Sequence, residues 1–363
     1  MIESKKKNLN YIQALRGVAA MLVVVCHGRD FLKGTPYEKL AYDLFWPGAF
    51  GVDLFFIISG FIIVYTSMNY GSKDTFKFIR KRFFRVWPLY FICTMAYIAL
   101  VNGMDLSGMK GFYYNQNGSA FELINIIKSL LFIPLNLDSP IYFGPPTLFV
   151  GWTLNYEIYF YVICAIGIAC GKFRFTFYIF WFSLTLLLIP SLIGDHNYDR
   201  PKILGYGYLN LTMQSIIWEF VFGAVVAIMY KQGVLKITAP HLAIPIILLG
   251  LSAPAFAYVT KMDAGHGITH SGKFFCFMFL CLTSCAGYIQ DNIKIPSFIT
   301  DIGDASYSLY LIHPLVFIVC YKIASYFMSW DSMASFWFVG AVFFVSILIS
   351  RLSYRFIECN LPK

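Results

Sequence analysis

Leu15–Gly28 reads LRGVAAMLVVVCHG. Apart from Arg16 and His27 the stretch is apolar, and its length suits a helix entering a membrane. Ionisable side chains are costly there and usually face a cavity or a partner. The two polar residues stand eleven positions apart. At about 100° per residue this is three turns plus roughly 20°, so both lie on one helix face, about 16 Å apart along the axis. Each alone has an ordinary explanation: Arg16 reaching to lipid phosphates, His27 capping the helix end. Two such groups on one face argue for function. Cys26 points about 100° away, which disfavours a Cys–His nucleophile pair.

The surrounding chain agrees with a membrane reading. Of 363 residues, 58% are hydrophobic and 13% charged, against about 25% charged in soluble domains. Mean hydropathy is +0.65. Lys5, Lys6 and Lys7 precede the first apolar run, as in a signal peptide. That run, however, holds Arg16 and His27 and ends in HGRDF, unsuited to cleavage. It is read as a first transmembrane helix. The nine cysteines fall almost all within apolar runs. Their spacing suggests neither a disulfide framework nor a zinc site.

Apolar runs recur at 11–28, 47–68, 86–101, 148–170, 175–194, 209–230, 240–259, 274–289, 305–327 and 334–350. An all-α, polytopic membrane bundle of about ten helices is expected. An even number puts both termini on one face, and the loops of that face carry the larger share of Lys and Arg in fewer residues. The bias predicts N-in and C-in. The net charge of +9 is then mostly an inner-face property. It suits an anionic leaflet or cytosolic ligand and gives no case for nucleic acid. Phe121–Pro134, FELINIIKSLLFIP, is short and charged, so an interfacial or re-entrant helix is expected. No repeat and no soluble domain is visible; residues 1–363 are expected to form one membrane domain.

Four further segments place polar groups in the membrane. In RKRFFRVWPLY, Arg80–Tyr90, Arg82 and Arg85 are three apart and share a face if the helix has begun there. Guanidinium forks suit phosphate, though any one of these charges could simply anchor topology. In FGVDLFFIISGFII, Phe50–Ile63, Asp53 lies at the depth of His27 and could orient its imidazole. An interfacial aspartate at a first helical turn is an equal reading. In WTLNYEIYFY, Trp152–Tyr161, Glu157 lies well inside a span and calls for a polar partner. In IGDASYSLYLIHP, Ile302–Pro314, Ser306, Tyr310 and His313 fall on one helix face. They line a channel or form a polar packing stripe. Glu219 and Lys322 are also intramembrane, with no role assigned.

In order and spacing these segments resemble acyltransferase family 3 membrane proteins, the O-acetylases of bacterial polysaccharides. The shared elements are the arginine–ten residues–histidine element, FFIISGF, Arg-x-x-Arg, WTLNYEIYFY and SYSLYLIHP. The opening YIQALRG looks closest to exopolysaccharide-acetylating members. The closing YRFIECNLPK is similar too, although Cys359-Asn360 stands where a shorter, more basic ending is common. The resemblance implies a multi-pass protein of the bacterial inner membrane without the SGNH-type domain that some members add. It implies an acetyl-CoA or other short acyl-CoA donor in the cytosol and no metal. The acceptor would be a hydroxyl of a polysaccharide or its lipid-linked precursor. Arg16, Arg82 and Arg85 would hold the donor. His27 would be the general base. Ser306, Tyr307 and Tyr310 would donate hydrogen bonds to the donor or the developing oxyanion. Asp53 would support catalysis, and Glu157 and His313 would shape the cavity or relay protons. A flippase of lipid-linked sugars is the rival, but the two related halves with broken helices common in such proteins are not visible. A non-enzymatic scaffold would leave the intramembrane charges without purpose. The sequence fixes neither the acceptor sugar nor an oligomeric state.

Overall fold

The computed structural model describes residues 9–104, 118–136, 139, 141–193, 207–329 and 333–361. Among these there is no strand. The helices are α1 Asn10–Gly28, α2 Glu38–Phe45, α3 Gly51–Ser67, α4 Thr75–Gly103, α5 Leu123–Leu130, α6 Trp152–Ala169, α7 Arg174–Ser183, α8 Ile189–Leu192, α9 Gly207–Thr212, α10 Ile217–Lys231, α11 Pro240–Thr260, α12 Gly272–Ser284, α13 Ala286–Asn292, α14 Ser297–Asp304, α15 Ser306–Ser325 and α16 Phe336–Phe356.

Among the described residues eight helical segments are long and apolar enough to cross a membrane, or nine if α12 and α13, bent by 64°, form one span. The apolar run at 209–230 is broken between α9 and α10, and α10 alone has 15 residues. The expectation of about ten spans therefore stands. The segment 121–134 holds only α5, eight residues long, too short to span.

The central helix is α1, packed against α3, α14, α15 and α16. Its small residues allow this. A Cβ at Gly17 would press on the Ile299 carbonyl of α14. The most extensive helix pair is α3 with α10. There Gly60 faces the Phe220 carbonyl and Gly223 faces the Ile57 carbonyl, leaving no room for a Cβ on either. In lipid, association rests on such close backbone approach rather than on a hydrophobic drive. The outer helices α7 and α11 turn Ile179, Phe180, Leu248 and Val259 outward. Apolar residues on the outside are what a lipid solvent requires.

Helices α4, α14 and α16 are tied together by ion pairs on one face of the bundle. Arg85 on α4 pairs with Glu358 just beyond α16, Nη1 to Oε2 2.5 Å, and Arg351 on α16 pairs with Asp301 on α14 at 2.8 Å. We call this the Arg16 face and the opposite one the His27 face.

Candidate active site

Two cavities among the described residues are lined by the polar groups singled out above. The one on the Arg16 face, about 120 Å³, is lined by Arg16, Arg82, Arg85, Glu157, Ser306, Tyr307 and Tyr310 together with apolar residues of α3. Seven residues singled out from four separate segments thus meet in one space. The helix that carries Arg82 and Arg85 has begun at Thr75, so the two guanidiniums do share a face. Arg16 donates to Gln13 Oε1 at 3.1 Å. Arg82 donates to Thr66 Oγ1 at 3.2 Å and lies over the Phe78 and Tyr161 rings. Glu157 accepts a short hydrogen bond from the Tyr161 hydroxyl.

Two buried polar atoms here have no hydrogen-bond partner among the described residues: Arg82 Nε and Ser306 Oγ. Orphaned buried donors are costly, and their position on a cavity wall fits an absent anionic, acceptor-rich ligand. The tyrosines differ from expectation. Tyr307 donates to the Val86 carbonyl at 2.7 Å, and Tyr310 donates to the Val150 carbonyl at 2.6 Å. A phenol has one proton, so in this conformation neither can donate to an oxyanion. Ser306 is the hydroxyl that remains for that task.

Glu358 was not apparent from the sequence. Its carboxylate binds Arg85 with one oxygen. The other accepts from the Ser308 amide at 3.1 Å and the Ser308 hydroxyl at 2.5 Å. It thereby fixes Arg85 against α15. A glutamate at the end of the last helix looks like an ordinary surface charge in the sequence.

The second cavity, on the His27 face, is about 260 Å³ and is lined by His27, Cys26, Arg29, Trp46, Tyr142, Trp152, His266 and Tyr310, among others. His27 Nδ1 lies 3.0 Å from His313 Nε2, and His313 Nδ1 lies 3.2 Å from the Leu309 carbonyl. A carbonyl only accepts, so His313 carries its proton on Nδ1 and offers a lone pair at Nε2. His27 then donates from Nδ1, and its own lone pair sits on Nε2. Pro314 contributes to this arrangement. It lacks the N–H that would occupy the Tyr310 carbonyl one turn back, and that carbonyl also faces the His313 ring.

The three groups expected to support catalysis together, His27, Asp53 and Glu157, do not converge. Asp53 lies at the depth expected, but its Oδ2 pairs with His266 Nδ1 at 2.9 Å and its Oδ1 accepts from the Gly267 amide at 2.8 Å. The imidazole partner seen for His27 is His313 on α15. Glu157 belongs to the other cavity, because five residues of helix, about 7.5 Å, separate it from Trp152 on the His27 side. Cys26 shares the cavity with His27, but its thiol is turned to the Trp46 carbonyl at 3.5 Å. Val52 and Tyr310 line both cavities, so these two side chains form a common wall. The arrangement can hold an anionic ligand on one face, a second ligand on the other, and an oriented base beside the wall.

Comparison with known proteins adds to this geometry. A family model described as an acyltransferase domain matches residues 9–355. The exopolysaccharide production protein ExoZ of Rhizobium meliloti (strain 1021) is 27% identical over 288 residues, covering 78% of this chain and 81% of that protein. The O-acetyltransferase OatA of Staphylococcus aureus (strain NCTC 8325 / PS 47) is 24% identical over 376 residues, covering 97% of this chain and 57% of that protein. The chain thus spans little more than half the length of OatA. No solved structure matches it.

Proposed function

The chain belongs to acyltransferase family 3, and from that premise we propose that it moves an acetyl or other short acyl group from cytosolic acyl-CoA to a hydroxyl of a surface polysaccharide or its lipid-linked precursor. The membrane in question is the bacterial cytoplasmic membrane, with the Arg16 face in the cytosol. The Lys and Arg bias of the loops supports that orientation. The names of ExoZ and OatA support a polysaccharide acceptor and an acetyl group.

The observation that carries the mechanism is the His27–His313 bond and the tautomer it sets. Acyl-CoA binds from the Arg16 face, its phosphates against Arg16, Arg82 and Arg85. Its thioester reaches the wall at Tyr310. The acceptor hydroxyl approaches from the other face. His27 Nε2 takes its proton as the oxygen attacks the thioester carbonyl. His313 Nε2 keeps its hydrogen bond to Nδ1–H as the imidazolium forms. Ser306 Oγ–H stabilises the charge that develops on the carbonyl oxygen. The tetrahedral intermediate then breaks its C–S bond, and the CoA sulfur leaves with the proton from His27. The products are an ester and free CoA thiol.

The test is the O-acetyl content of surface polysaccharide in a deletion strain carrying His27→Gln, beside thiol release from acetyl-CoA by the purified protein in detergent. Glutamine keeps the volume but cannot cycle a proton. Activity is expected to fall about 10²–10⁴-fold at equal membrane abundance. Near-wild-type acetylation by the variant would remove His27 from the chemistry.

A further inference from the structure

The reaction above leaves one imidazole of the His27-face cavity unused. His266 lies in the loop between α11 and α12 and reaches the cavity wall beside Trp152, ring centroids 5.5 Å apart. Its Nδ1 is held by Asp53, which is fully buried. A carboxylate only accepts, so the Nδ1 of His266 carries a proton and its Nε2 can accept a hydrogen bond.

Behind this pair lies a second carboxyl. Glu219 on α10 is fully buried, with its carboxyl beside that of Asp53 and near the Gly267 backbone. Room for it exists because residue 272 is glycine: a Cβ there would strike Glu219 Oε1. Burying two carboxyls behind one imidazole is expensive. Pinning a loop needs far less, since the bond from the Gly267 amide already ties the loop to α3. The cost is placed where an imidazole is aimed at a ligand space. Trp46, Tyr142 and Trp152 are among the aromatic rings that line that same space. Indole faces suit the C–H face of a sugar ring, and the indole N–H suits its hydroxyls.

We propose that His266, aligned by Asp53, binds the acceptor. It accepts a hydrogen bond from a hydroxyl neighbouring the one that His27 deprotonates, while the sugar ring lies against Trp152. The inference rests on the transferase reading. It adds that the acceptor is a sugar presenting two adjacent hydroxyls, one to each imidazole.

The experiment uses purified full-length protein in detergent, with acetyl-CoA as donor. The acceptor is surface polysaccharide from a deletion strain, de-O-acetylated with mild alkali. CoA thiol release is followed. With His266→Asn the acceptor KM is expected to rise tenfold or more while the acetyl-CoA KM stays within twofold. Trp152→Leu should shift the same constant in the same direction. Acetyl-CoA binding, measured by calorimetry on each variant, reports whether the fold is intact. Unchanged acceptor KM and kcat in both variants would reduce the dyad to a loop anchor and overturn the proposal. A parallel loss of acetyl-CoA binding would overturn it too, because the pair would then be holding the bundle. If wild-type protein shows no polysaccharide-dependent thiol release, the transferase reading itself fails, a result separate from any His266 effect.

Discussion

At the scale of single residues, the pair Arg85–Glu358 shows why charge removal here must be read with care. Glu358 is almost fully buried, and its partner about one third exposed. Arg85→Ala strands a buried carboxylate, and breaking a buried pair from one side costs about 3–5 kcal/mol. The alanine variant is therefore expected to lose thermal stability in detergent as well as acetyl-CoA affinity. Adding Glu358→Gln removes the stranded charge while keeping an oxygen for Ser308. The double variant should recover most of the stability and none of the affinity. Recovery of both would mean that Arg85 serves the fold alone. What the sequence disclosed at this scale is bounded by helical periodicity. Spacing along α1, α4 and α15 told which side chains share a face. It could not tell which helix that face meets. The His27–His313 bond joins residues 286 positions apart and Asp53–His266 joins residues 213 apart, so the aspartate could be placed at the right depth and still be assigned the wrong imidazole. His266 itself stands in a polar loop, DAGHGITH, where a histidine is unremarked.

At the scale of elements, hydropathy located nine of the ten expected spans among the described residues, but not the quality of their contacts. The apolar runs match the helices because a membrane helix must be apolar throughout. The break between α9 and α10 and the bend between α12 and α13 leave little mark on hydropathy, since a distorted turn inside protein keeps apolar side chains. The glycines carry the pairing. Gly223→Val puts a branched side chain against the Ile57 carbonyl of α3. Overpacking of this kind costs about 1–3 kcal/mol, and more where the obstacle is backbone. A lowered unfolding midpoint, or loss of the protein from membranes, is expected. Gly340→Ala on α16 is the control. Nothing lies within 4 Å of its added Cβ, and alanine favours a helix over glycine by about 1 kcal/mol. Equal effects from the two substitutions would show that the α3–α10 contact is not what glycine protects.

At the scale of the whole molecule, the proposed mechanism needs one orientation in the membrane, the one that the Lys and Arg bias of the loops predicts. Lys73 lies between α3 and α4, and Lys261 follows α11 on the opposite face. In a cysteine-free background, a single cysteine at position 261 should react with a membrane-impermeant maleimide added to intact cells. One at position 73 should react only after the cells are broken. The reverse pattern would turn the protein over and put the arginines outside. The helical membrane bundle was legible in the sequence from its apolar runs. Its hollowing from both sides was not, because a cavity is set by how neighbouring helices diverge rather than by any one helix. The shared wall of Val52 and Tyr310 has an electrical meaning. Hollows open to water on either side would bring the two bulk phases close, so the membrane voltage would fall over a short distance there. That voltage is worth about 2.3 kcal/mol per elementary charge per 100 mV. In the proposed reaction an acyl group goes outward and the proton it displaces goes inward on CoA, so the exchange across that field is electroneutral. A cell could then decorate its surface at any membrane voltage, provided the wall stays closed to ions.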